Sequence, residues 1–167
     1  MITVRVGRLD EPETEGVLRP VRSDFTGITG ASRRVEARAG DKVRTRLDGI
    51  GELPVGGAVV TPAGDLPATF IIHAVLESPE ESMSAFGVQR ALTNGLRRAR
   101  EWEMASLALP PLGLGAGALE PEEWAGMNVE LLLNHLREGG APEELVIVVE
   151  STYEEDLFRR LLSAAQT

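Results

Sequence analysis

Ala105-Ser-Leu-Ala-Leu-Pro-Pro-Leu-Gly-Leu-Gly-Ala-Gly-Ala-Leu-Glu-Pro-Glu-Glu-Trp124 runs from an apolar stretch through a glycine loop into a helix start. Gly113, Gly115 and Gly117 fall at every second position, which lets the backbone turn with its N–H groups exposed. A glycine loop between a strand and a helix N-terminus favours an anion, usually a phosphate. The same glycines also serve a plain tight strand-to-helix turn.

Outward from this stretch, the chain alternates strands and helices. Ile2–Val6 and Gly16–Arg22 read as strands, the second weakened by Pro20. Ser23–Gly30 is loop chemistry. Residues 31–39 and 42–47 read as short helices parted by Gly40-Asp41. Residues 55–61 and 68–76 read as a strand pair. Ser78-Pro-Glu-Glu81 reads as a capping box opening a helix to about Met104, with Val88, Leu92, Leu96, Ala99 and Trp102 on its apolar stripe. Beyond the glycine loop, Trp124, Met127, Leu131, Leu132 and Leu136 mark a second amphipathic helix. Leu145-Val-Ile-Val-Val149 reads as a strand buried on both faces. Ser151 and Glu154 form a capping box for a last helix. The pattern predicts an α/β fold, a mixed sheet sandwiched by helices, over one domain spanning residues 1–167. Ligands of such sheets sit beyond the carboxyl ends of the strands, where this glycine loop lies.

Composition narrows the function. The chain has 167 residues and a net charge of −9, which argues against general nucleic-acid binding. The first fifty residues hold ten basic against eight acidic side chains, and the remainder seven against 18, so the positive field lies near the N-terminal third. There is no cysteine, so no disulfide, thiolate nucleophile or cysteine metal site exists, in keeping with a cytoplasmic location. His73 and His135 lie far apart and make no metal-ligand pair. No apolar run has signal-peptide or membrane-helix length, and no membrane partner, cofactor or metal is expected.

The order of features resembles the macro domain (ADP-ribose-binding, Appr-1''-p processing-like) family, in a divergent form. The resemblance rests on Gly57-Ala-Val-Val-Thr-Pro-Ala-Gly-Asp-Leu-Pro-Ala-Thr-Phe-Ile-Ile-His-Ala-Val75, similar to the family's "G-x-A-x-x-T-x-G-x-x-L-P-A-x-x-V-I-H" passage. It rests also on Leu109–Ala118, similar to the family's second phosphate loop. The resemblance implies a three-layer α/β/α fold with a mixed central sheet and an ADP-ribose-like nucleotide ligand. It places Gly27, Ile28, Thr29 and Gly30 in a first phosphate loop, and Leu112, Gly113, Leu114, Gly115, Ala116 and Gly117 in the second. Tyr153 stands where family members often set an aromatic against adenine, or it packs at the helix start.

Three arginines depart from the family pattern. Arg8 stands where an aspartate contacts adenine, and Arg19 and Arg22 replace two asparagines. Arginine donates only and is always charged, so it pairs with phosphate or carboxylate but cannot also accept from a ribose hydroxyl. Arg22 therefore reads either as a partner of the ligand's anionic part or as a surface residue. Asp24, the acid of the first loop, either activates a water or caps a turn. His73 reads as a satisfied core histidine. Three functions follow: a binding module for ADP-ribose or a related nucleotide diphosphate, a hydrolase acting on ADP-ribosylated proteins or small acceptors, or a scaffold that has lost its nucleotide.

Overall fold

The structure, a computed structural model, describes residues 1–114 and 119–166. Among the described residues, six strands form one mixed sheet: β1 (Ile2–Val6), β2 (Gly16–Arg22), β3 (Ala58–Pro62), β4 (Phe70–Glu77), β5 (Ser106–Leu109) and β6 (Glu144–Val149). Their order is β1-β6-β5-β2-β4-β3, with only β3 antiparallel to its neighbour among the paired strands. The helices are α1 (Gly30–Ala39), α2 (Asp41–Ile50), α3 (Ala85–Glu101), α4 (Pro121–Glu138) and α5 (Thr152–Ala165). Among the described residues, no helix is long and apolar enough to cross a membrane.

The period-two alternation of the strands divides the apolar core between the two faces. Leu18, Ile72, Ala74, Leu107, Leu109, Leu145 and Ile147 meet α3, α4 and α5 on one side. Val17, Val21, Ile71, Val75, Ala108 and Val148 meet α1 and α2 on the other. The expected three layers are present. The amino ends of the strands are tied through Glu15: its carbonyl accepts from Thr69 and Phe70, and its carboxylate from the Ala105 amide at 2.8 Å.

Pro20 sits inside a central strand, where a missing N–H normally breaks a ladder. The β2–β5 pairing spans only Gly16–Leu107 and Val17–Ala108, so Pro20 lies past it. The chain turns after Arg22 and returns along that vacated edge. Val21 bridges Gly27 in antiparallel fashion, the Ile28 amide donates to the Pro20 carbonyl, and the Arg22 amide donates to the Thr26 carbonyl at 2.9 Å.

Two local expectations need correction. The helix after β4 does not begin at Ser78. The Ser78 amide bonds the Glu81 carbonyl and the Glu81 amide returns to Ser78 Oγ, closing a tight turn. Ser84 is the true cap, accepting from the Gly87 amide at 3.0 Å. Trp102 is not on a core face. It ends α3, is 52% exposed and rests on Phe70 with ring centroids 5.2 Å apart.

Candidate ligand-binding cleft

The carboxyl ends of β1, β6 and β5 stand side by side, and the chain leaving them lines one cavity of about 200 Å³. Gly7 and Leu9 follow β1, Glu150 follows β6, and Pro110, Pro111 and Leu114 follow β5. Glu154 of α5 adds a second carboxylate. Thr29, Gly30 and Ala31, where α1 begins, form the facing wall.

The start of α1 is fixed by Thr29, whose backbone is extended and whose Oγ1 accepts from the Ser32 amide at 3.1 Å. The Gly30 and Ala31 amides make no hydrogen bond among the described residues. They are two of the orphan donors that every helix N-terminus leaves, and they border the cavity with the positive end of the helix dipole behind them. Gly27 is required by close approach, since a Cβ there would stand 2.9 Å from both the Arg33 nitrogen and Ser32 Oγ. Ile28 is partly buried and packs against the core on the sheet face opposite α1 and α2.

Several expected site residues take other places. Arg22 does not border the cavity. Its Nε lies 3.2 Å from Glu77 Oε1, and its Nη1 donates to the Gly27 carbonyl, so it braces the first loop from behind. Asp24 is exposed, accepts from both the Thr26 amide and the Thr26 hydroxyl, and does not border the cavity. Those two hydrogen bonds hold its carboxyl below the usual range, in an Asx turn. Tyr153 is 60% exposed and is not among the residues that line the cavity, whereas its neighbour Glu154 is.

In the second loop, the Leu112 amide is already spent. It donates to Asn128 Oδ1 at 3.0 Å, and Asn128 Nδ2 returns to the Leu112 carbonyl at 2.9 Å. Gly113 has φ +90°, and a Cβ there would meet the Trp124 ring at 2.4 Å, so packing alone demands glycine. Leu114 borders the cavity. Gly115, Ala116 and Gly117 lie outside the described residues.

The three arginines at family-motif positions are all engaged. Arg8 holds Asp10 through Nε and Nη2, both at 3.1 Å, and Asp10 also meets Arg38. Burial alone would raise Asp10, but the Arg8 hydrogen bonds and the two positive charges outweigh it and hold the carboxyl low. Arg19 is fully buried on the α1/α2 face and does not reach the cleft. Its Nε donates to His73 Nδ1, its Nη2 to the Phe25 carbonyl, and Glu36 and Arg44 complete the cluster. Burial lowers its guanidinium to about 10. His73 is therefore a satisfied core histidine, with Nε2 2.8 Å from Thr61 Oγ1.

Leu9, Glu150, Glu154 and Asn128 were not read as site residues from the sequence. The one signal for Glu150 and Glu154 was the Ser151–Glu154 capping box, which fixes the end of β6 and hence what stands at its carboxyl end.

The chain matches the Macro domain family over residues 20–127. It is 32% identical over 126 residues to a protein of Aeropyrum pernix, covering 75% of this chain and 67% of that one. It is 29% identical over 167 residues to the O-acetyl-ADP-ribose deacetylase of Enterobacter sp. strain 638, covering 96% and 93%. Its fold superposes on the Trypanosoma brucei macrodomain in complex with ADP-ribose with a TM-score of 0.86, at 14% identity over 96% of this chain and 68% of that one.

Proposed function

This chain belongs to the macro domain family, and from that premise we propose that its cleft binds ADP-ribose or a related nucleotide diphosphate. The observation that carries the reading is the start of α1 on the cavity wall: two amides, Gly30 and Ala31, with no hydrogen bond among the described residues, at the positive end of a helix. A diphosphate seats there, and the apolar side chains of Leu9, Leu114, Pro110 and Pro111 offer a wall to the flat base. Thr29, Gly30 and Leu114 are the expected site residues that this reading keeps at the ligand. Arg22, Gly27 and Ile28 support the loop, and Leu112 and Gly113 shape the facing turn. Calorimetric titration of the full chain with ADP-ribose tests the reading. A saturable heat supports it, and none at millimolar ligand overturns it.

A second reading, hydrolysis, is favoured by the O-acetyl-ADP-ribose deacetylase that aligns with nearly the whole chain. Glu150 and Glu154 are the carboxylates on the cavity wall, while Asp24 is consumed by its turn. Incubation with O-acetyl-ADP-ribose and assay for free acetate separates the two: release supports catalysis, and intact substrate after hours leaves a binding module.

A further inference from the structure

Arg34 lies one turn into α1, just behind the cavity-lining residues Thr29, Gly30 and Ala31, and Glu150 lies just beyond β6 and borders the cavity. Arg34 Nη2 and Glu150 Oε1 meet at 2.7 Å, joining α1 to the end of β6 across 116 residues of sequence. A Cβ on Gly30 would stand 3.4 Å from Arg34 Nη1, so this guanidinium lies over the helix start whose amides face the cavity. Its Nε is buried and has no hydrogen-bond partner among the described residues. One oxygen of Glu150 thus occupies a donor fork built for two, beside the place where an anion is expected.

Resting on the ADP-ribose reading above, we propose that Arg34 is the cation that recognises the diphosphate and that Glu150 holds its place until the ligand arrives. The carboxylate stands in for a phosphate oxygen. A ligand seated on the Gly30 and Ala31 amides brings its own oxygens toward Arg34, and the planar fork takes two of them at once. Glu150, already 61% exposed, moves to water with little loss. Exchange is feasible because an exposed ion pair of this kind is weak. The other arginines near the loop do not compete for the role. Arg22 is held by Glu77, and Arg33 turns back to the Gly27 and Ile28 carbonyls.

Calorimetric titration with ADP-ribose on the full chain, with Glu150→Gln, Arg34→Gln and the double variant, tests the exchange. Both side chains are partly exposed, so folding is preserved. The expected result is that Glu150→Gln binds roughly two- to fivefold tighter, the range an exposed ion pair is worth. Arg34→Gln binds several-fold weaker with a shallower salt dependence, and the gain from Glu150→Gln vanishes in the Arg34→Gln background. Weaker binding by Glu150→Gln overturns the exchange, because the carboxylate then contacts the ligand itself. A gain that persists in the double variant overturns it too, because Glu150 then acts without Arg34. No heat from either the wild type or Glu150→Gln overturns the ADP-ribose reading and the exchange with it, whereas binding with no difference among variants overturns the exchange alone.

Discussion

Arg19 of β2 and His73 of β4 stand opposite one another in the parallel ladder, and Arg19 Nε donates to His73 Nδ1 at 2.9 Å. An arginine cannot accept, so Nδ1 carries no proton and Nε2 must carry the single hydrogen of a neutral ring. That hydrogen points to Thr61 Oγ1 at 2.8 Å. A fixed positive charge is thus buried against a base that has to stay neutral. The cluster then reaches outward through the Phe25 carbonyl to the first loop.

The ring's titration makes the fold sensitive to acid. Burial first, and then the charges of Arg19 and Arg44, push His73 well below its usual value. In the unfolded chain it protonates near pH ~6.5, and in the folded chain it does not, so the unfolded state binds the extra proton. Stability is therefore full above that pH and falls as the pH drops, by at most about 1.4 kcal/mol per unit for this one group. His135, lowered by burial and Arg100, adds a slope of the same sign. Urea unfolding at pH 7.5, 6.5 and 5.5 should show the decline, and His73→Gln should flatten it to what His135 contributes. An unchanged slope in that variant refutes the assignment.

Cutting the same contact at Arg19 should cost more than any surface arginine. Arg19→Met leaves His73 Nδ1 without its donor in the interior and takes one of two donors from the Phe25 carbonyl, which keeps Arg44 at 3.1 Å, for a loss of about 2–4 kcal/mol. Arg19→Lys should rescue only part of it, because a single ammonium cannot reach β4, the loop and Glu36 together. Denaturant midpoints decide the matter; a loss under ~0.5 kcal/mol, typical of surface sites, contradicts the network.

The turn after β5 offers a separate probe. Asn128→Ala removes both bonds to the Leu112 main chain and should destabilise the protein by about 1–3 kcal/mol. With Leu112 released, Leu114 loses its fixed place on the cleft wall, so ADP-ribose affinity should fall in parallel. Gly113→Ala should be at least as damaging, since its Cβ would enter the Trp124 ring at a backbone angle that side chains rarely adopt. Tryptophan emission together with thermal melting reads both changes. A native-like Gly113→Ala protein would show that the ring moves aside at no cost.

For Arg22, the outcome lies in its salt dependence. Its partners are Glu77 and the Gly27 carbonyl, so Arg22→Ala should loosen the first loop and weaken ligand binding by a few-fold. The slope of affinity against ionic strength should stay that of the wild type, because no charge is withdrawn from the ligand. A loss confined to low salt would instead put the guanidinium on the phosphate.

The layers of the fold were legible because they follow from local pattern. The unbroken run Leu145–Val149 became a strand between β1 and β5, and the Ser151–Glu154 box started α5 where expected. Local pattern misled at Ser78, whose box closes a tight turn, while Ser84, six residues on, caps α3. The cleft and the buried polar cluster behind the first loop were less legible, since both depend on pairings far apart in sequence. Nothing near Arg19 announces His73, and nothing near Leu112 announces that Asn128 spends its amide. The arginines at positions 8, 19 and 22 were visible as departures, but the acids and carbonyls that occupy them appear only once the chain is folded.

The short β5 has a bearing on how this protein can change. The segment 26–28 serves as a surrogate strand on the edge of β2 that β5 leaves bare. Extending β5 by a few residues would set it in competition with that segment for the Pro20 carbonyl, and whichever won would evict the other. Growth of the sheet in that direction and survival of the first loop exclude each other, so insertions after Leu109 should be tolerated only as excursions away from β2.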